Sequence, residues 1–157
     1  MTTPSSDARP DVLLDVDALT PRFVAAMSRL DTAARHEVER QDLEPDLVEL
    51  VRLRASQVNR CDYCIDLHER DAAIVGVSEA RIRALPLWRD SGAFSERERA
   101  ALGYTEVASR SLGADPDGAM TALREQFSEG EAAALLAVVV MINAWNTLAV
   151  SSRAWAP

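Results

Sequence analysis

Residues 132 to 150, AAALLAVVVMINAWNTLAV, run for 19 positions with almost no polar interruption, and this run limits the possible folds more than any other stretch. Its length is near what an α-helix needs to cross a bilayer. Asn143 and Asn146 break it, however, no basic flank anchors it, and the rest of the chain is soluble in character. A helix apolar on all sides is then a central core helix, or one buried between subunits, and no membrane is expected as a partner. On that reading Asn143, Trp145 and Asn146 are core or interface groups with satisfied hydrogen bonds.

The remaining boundary signals are also helical. Thr20-Pro21 supplies a capping hydroxyl and a first-turn proline for a helix carrying Phe23, Met27 and Leu30, whose charged end from Arg35 to Asp42, including His36, is a solvated face. Pro45 opens a second helix in which Leu47, Leu50, Val51, Arg54 and Val58 recur at helical spacing. Charged side chains usually face solvent, so by itself Glu49 on this helix reads as exposed, and Arg52 and Arg54 as surface, interface or ion-pair residues. Gly76 marks a helix C-terminus, and Ser78 caps a short helix that ends at Pro86. Ser95 with Glu98, and Ser128 with Glu131, have capping-box spacing, and Asp115-Pro116 starts a helix between them. No period-two alternation bounded by turn residues occurs, so the expected fold is all-α. Residues 1 to 11 read as a frayed polar tail, and 12 to 157 as one domain.

The chemistry is concentrated in NRCDYCIDLHER, residues 59 to 70. Cys61, Cys64 and His68 fall at i, i+3 and i+7, which share one helix face. A thiol reacts as its thiolate, and an imidazole one turn beyond Cys64 can take the proton directly or through a water. Asn59 is a plausible N-cap, and a helix starting near Arg60 or Cys61 would favour the thiolate further through its free N–H groups and dipole. The Cys-x-x-Cys spacing lets one sulfur resolve an oxidised partner, which makes a redox pair.

Other uses of these residues fit less well. A structural zinc site would need a fourth ligand, and only His36 or a carboxylate is left, so no metal is expected. Covalent haem requires His directly after the second cysteine, where Ile65 stands. A thioredoxin-like site would lie beside a βαβ unit. No GxGxxG or strand announces a nicotinamide or flavin, so no bound cofactor is expected. The net charge of −8 argues against nucleic acid as a partner. The opening residues contain no apolar run, so the expected location is cytoplasmic, where a CxxC is more often catalytic than structural.

The run ELVRLRASQVNRCDYCIDLHERDA, followed by ALPLWRDSGAFSERERAALGYTEVAS and INAWNTLAV, resembles the AhpD-like alkylhydroperoxidase branch of the carboxymuconolactone decarboxylase family. Glu49, Cys61, Cys64 and His68 fill that branch's Glu-x11-Cys-x2-Cys-x3-His motif in register. The resemblance implies an all-helical bundle that assembles into trimers or hexamers, and a peroxidase in which Cys64 attacks a hydroperoxide and Cys61 resolves the product. It also implies that His68 relays the proton while Glu49 orients or charges the imidazole. A lipoyl or thioredoxin-like dithiol would supply electrons. Tyr63 stands where the mycobacterial-type enzyme has a second histidine, and is expected either to donate a hydrogen bond or simply to pack. The alternatives are lactone decarboxylation, which has no evident use for two neighbouring thiols, and a non-catalytic redox-sensing oligomer.

Overall fold

The computed structural model describes residues 12–109 and 116–155, with no side-chain detail at 116 and 117, and within them the chain is helical and contains no strand. The elements are α1 (Val16–Leu19), α2 (Pro21–Arg40), α3 (Pro45–Asn59), α4 (Asp62–Ile74), α5 (Glu79–Ala84), a 3₁₀ turn (Leu85–Leu87), α6 (Glu96–Ser109), α7 (Pro116–Gln126) and α8 (Glu129–Ser152). The polar tail expected over residues 1 to 11, and Asp115 before α7, lie outside the described residues.

Most helix ends lie where the sequence signals put them. Ser128 and Glu131 exchange both bonds of a capping box before α8, and Ser95 and Glu98 do the same before α6. Gly76, at φ 98°, follows the end of α4 in a conformation only glycine adopts freely. Two starts depart from expectation. The Thr20 hydroxyl does not cap α2 but bonds back to Val16 O, because the unanticipated turn α1 precedes it. Asn59 is not the cap of α4; it is the last residue of α3, and its side chain donates to Asn143 Oδ1 on α8 at 2.6 Å.

α8 is central, packed against α2 on one side and α3 on another, while α3 also meets α4 and α6. Leu47 and Val51 of α3 join Ala101, Leu123, Leu135 and Val138 in one cluster, and Leu50 and Leu53 join Ala72, Leu85, Trp88 and Leu102 in another. Each leucine sealed from solvent contributes about 2 kcal/mol relative to exposure. Because its residues point into both clusters, α3 is buried on nearly every side. By length and composition α8 could cross a membrane, and it is the one such helix among the described residues. Here it packs between helices, with Leu136, Val140 and Val150 left exposed.

The turn from α3 to α4 positions the chemistry. Arg60 adopts the left-handed conformation, φ 55° and ψ 44°, which ends α3 and turns the chain back so that α4 packs along it. Cys61 N–H then bonds to Ser56 O at 3.0 Å, tying the first cysteine to the last turn of α3. A residue with a Cβ at this backbone position costs about 1 kcal/mol relative to glycine. The Arg60 side chain is exposed and makes no hydrogen bond among the described residues. Arg60→Gly is therefore expected to raise the unfolding free energy by about 1 kcal/mol, read as a higher urea midpoint at constant slope.

Candidate functional site

Cys61 is itself the N-cap of α4: its Sγ accepts the Cys64 N–H at 3.4 Å. The two cysteines are joined as a disulfide with Cα atoms 5.3 Å apart, so the structure represents the oxidised dithiol. Cys64, in the first turn, stands where unsatisfied N–H groups and the helix dipole favour negative charge on sulfur once the bond is reduced. Both are buried, but they face differently. Cys64 lines a cavity of about 580 Å³ that Cys61 does not reach, and Cys61 packs behind it against Ala149.

His68 lies one turn beyond Cys64 on α4 and lines the same cavity. Its Nδ1 is 2.9 Å from Glu49 Oε2, and the other carboxylate oxygen accepts from Arg52 Nη1 at 2.7 Å. Glu49, Arg52 and His68 are each 7% exposed, so the solvent-facing expectation for Glu49 is wrong. The reason is that α4 and α8 cover the face of α3 from which it projects, and a carboxylate covered in this way is tolerated only with partners. Burial alone would push the Glu49 carboxyl up, but the His68 hydrogen bond and the Arg52 charge outweigh it and hold the carboxyl below its ordinary range. An ionised carboxylate can only accept, so Nδ1 carries a hydrogen, and whenever the ring is neutral it is Nε2 that holds the lone pair able to take a proton. Asp71 Oδ2 is 3.9 Å from the same Nδ1.

The rest of the cavity comes from three other parts of the chain. Ser28, Asp31, Thr32 and Arg35 project from α2, Ile142 and Trp145 from α8, and Trp155 from the segment after it. Arg35 Nε is held by Asp31 Oδ2 at 2.9 Å. Trp155 packs at a tilt against Tyr63, with ring centroids 5.9 Å apart, and edge-on to Trp145 at 6.0 Å, and its indole N–H donates to Asp17 of α1 at 2.9 Å. Tyr63 thus sits in an aromatic wall, and no hydrogen bond of its hydroxyl occurs among the described residues. His36 is exposed. Trp145, expected as a core or interface group, faces the cavity, and Asn146 is buried with its Nδ2 unpaired among the described residues, although its Oδ1 accepts from Ser56. Sequence reasoning missed Trp155 altogether; of the surface, interface and ion-pair roles it left open for Arg52, the structure shows the ion pair, with Glu49 one helical turn before it.

Donor atoms of Glu49, His68 and Asp71 lie within 4.8 Å of one another, close enough to converge on a cation. The Arg52 guanidinium already supplies positive charge to Glu49, and a second cation there would meet repulsion, so the geometry favours the ion pair over a metal. Neither cysteine belongs to this cluster.

Comparison with known proteins places this geometry among relatives. The model of the carboxymuconolactone decarboxylase family matches residues 21–107, from the start of α2 almost to the end of α6. The uncharacterised protein YdfG of Bacillus subtilis is 34% identical over 107 residues, covering 66% of this chain and 71% of its own length. The uncharacterised protein YnjA of Escherichia coli is 33% identical over 110 residues, which are 70% of this chain and 59% of that protein. A crystal structure of an Agrobacterium tumefaciens protein of unknown function, provisionally assigned to AhpD-type antioxidant defence, superposes with a TM-score of 0.85 at 30% identity, over 93% of this chain and 98% of that one. The debrominase Bmp8, solved with 2,3,4-tribromopyrrole, shares the fold at a TM-score of 0.76 and 18% identity, over 88% of this chain and 72% of its own.

Because the Glu49 carboxyl is held below its ordinary range, its contribution to stability is complete above that range and is lost as the pH falls through the lowered value. Removing one charge of a buried pair costs about 3 kcal/mol. Glu49→Gln is therefore expected to melt well below the wild type at pH 7, with the gap between their melting temperatures closing as the pH is lowered towards 3. A gap that stays constant over that range would contradict the assignment of a buried, ionised Glu49.

Proposed function

We propose a reaction for this chain, which belongs to the carboxymuconolactone decarboxylase family and within it to the AhpD-like branch: thiol-dependent reduction of hydroperoxides by the Cys61–Cys64 pair. The observation that carries this reading is that Cys64 and His68 line one cavity while Glu49 holds the far side of the imidazole. In the reduced protein, His68 Nε2 takes the Cys64 proton and the thiolate attacks the terminal peroxide oxygen. The O–O bond breaks, and the leaving oxygen takes a proton from the imidazolium to depart as the alcohol. Cys64 is left as a sulfenic acid. Attack by the Cys61 thiol expels water and closes the disulfide, and an external dithiol, lipoyl or thioredoxin-like, reopens it. No bound cofactor takes part in this cycle.

The cavity's size and lining support an organic peroxide as substrate. A volume of about 580 Å³ lies in the range of small-molecule pockets, and hydrogen peroxide would fill little of it. Trp145, Trp155 and Tyr63 offer flat apolar area to an organic substituent. In this reading the enzyme works in the cytoplasm, where dithiol reductants are maintained. It assembles as a trimer or hexamer, supported by the large apolar side chains left exposed on α2 and α8, among them Phe23 at 54%, Leu30 at 58% and Val140 at 53%.

Peroxide consumption with dihydrolipoamide as reductant tests the proposal. Cys64→Ser is expected to be inactive, Cys61→Ser to stop after one equivalent of peroxide, and Glu49→Gln to lose about 10²-fold in kcat/KM. Trp155→Ala is expected to lose roughly tenfold in kcat/KM with cumene hydroperoxide, and little with hydrogen peroxide. Cys64→Ser that still turns over peroxide at the wild-type rate would refute the reading.

A further inference from the structure

Arg52 has donors with no protein partner. Its side chain is 9% exposed, it lines the cavity beside Cys64 and His68, and its one side-chain hydrogen bond among the described residues runs from Nη1 to Glu49 Oε1 at 2.7 Å. A guanidinium carries five N–H groups, and the unpaired nitrogens of Arg52 are not among the side-chain atoms sealed from solvent, so they open to the cavity that the residue lines. Arg54, two residues along α3 and similarly covered at 11%, shows the usual solution: its Nε and Nη2 bond to Glu106 and its Nη1 to Gln57. The other cavity cation, Arg35, is 57% exposed and held by Asp31. Arg52 therefore differs from both: it is buried, it borders the cavity, and most of its donors are uncommitted.

We propose that Arg52 is a catalytic residue whose uncommitted N–H groups bind the charged or charge-developing oxygen of the substrate above Cys64. This rests on the peroxidase reading for the identity of that oxygen. When the Cys64 thiolate forms its bond to the terminal peroxide oxygen, the O–O electron pair passes to the inner oxygen. The guanidinium stabilises that alkoxide until the His68 imidazolium supplies the proton. Arg52 gives up no proton; it supplies charge and a fork of donors. The same donors would accept a substrate carboxylate, since both present an oxygen anion.

Two measurements on Arg52→Gln and Arg52→Lys test this. In the first, stopped-flow oxidation of the reduced protein is followed with tert-butyl hydroperoxide, cumene hydroperoxide and peracetic acid, whose leaving oxygens differ widely in basicity. Arg52→Gln is expected to lose about 10²-fold with tert-butyl hydroperoxide and less than tenfold with peracetic acid, because a poor leaving group needs the donor most. A purely structural role, acting through Glu49 and His68, would lower all three rates by one factor, and that result overturns the proposal. In the second, Cys64 of the reduced protein is alkylated with iodoacetate and with iodoacetamide. The ratio of the two rates is expected to fall about tenfold in Arg52→Gln and to be largely restored in Arg52→Lys, which keeps a cation beside Glu49 if the Gln variant is poorly folded. An unchanged ratio overturns the oxyanion site. If the ratio falls while the wild type reduces no hydroperoxide, the site stands and the peroxidase reading fails; if the wild type reduces peroxides and both measurements are flat, Arg52 alone loses its role.

Discussion

The carboxylate of Glu49 has to satisfy two demands at once, and the geometry of the site follows from how it does so. It is removed from water, which an isolated charge could not tolerate, and each of its oxygens is bound by a different partner, His68 on α4 and Arg52 on its own helix. The contact with His68 crosses between helices and fixes the direction of the imidazole; the contact with Arg52 stays within α3 and fixes the direction of the carboxylate. Since side chains on packed helices have few rotamers open to them, the arrangement is set before any substrate arrives. A carboxylate merely near the histidine on a mobile loop would give the same charge without the orientation.

The burial of Glu49 depends in turn on α3 being enclosed on nearly all sides, and this accounts for its unusual interior. Glu49, Arg52 and Ser56 recur at helical spacing along its length, and all are buried. Along one seam towards α8 two of its polar side chains pair across the interface, Asn59 with Asn143 and Ser56 with Asn146. On the opposite side a second buried carboxylate, Glu106 of α6, gathers Arg54, Arg89 and the Trp88 indole N–H. Burial would raise that carboxyl too, but its hydrogen bonds from Trp88, Arg89 and Arg54 hold it down. Two buried acids thus fix α3 from different directions. The first holds two residues that line the cavity, Arg52 and His68, and the partners of the second line none of it.

How much of this could be read beforehand follows from the range of each signal. Capping boxes, first-turn prolines and the apolar run of α8 are local, and they predicted helices at the positions where Ser95, Ser128 and Pro45 begin them. The spacing of Cys61, Cys64 and His68 is local too, and it put Cys64 and His68 one turn apart on α4 facing one cavity, with Cys61 as the N-cap just before the helix. Asn59 was misplaced because the left-handed Arg60 moved the start of α4 two residues on, and no residue preference signals that conformation at an arginine. Glu49 was read as exposed from its residue type alone, since burial depends on what α4 and α8 cover, and only the family motif linked it to His68. Trp155 and α1 were missed for the same reason: their places depend on contacts between the two ends of the described chain.

Those contacts set the aromatic wall of the cavity apart from Cys64, His68 and Glu49. Glu49 stands on α3 and Cys64 and His68 on α4, with Glu49 and His68 fixed by buried polar contacts. The aromatic wall depends on Trp155, which lies beyond α8 and is kept in place by Asp17 and by the bonds of Leu13 and Leu14 N–H to Ser152 O. These ties are few and lie near the surface, so they can change at small cost to the core. A substitution at Asp17 or Trp155 would alter the shape of the cavity while leaving the imidazole and its carboxylate untouched. Such a division lets the cavity wall vary on one helical frame while Glu49, Cys64 and His68 keep their places.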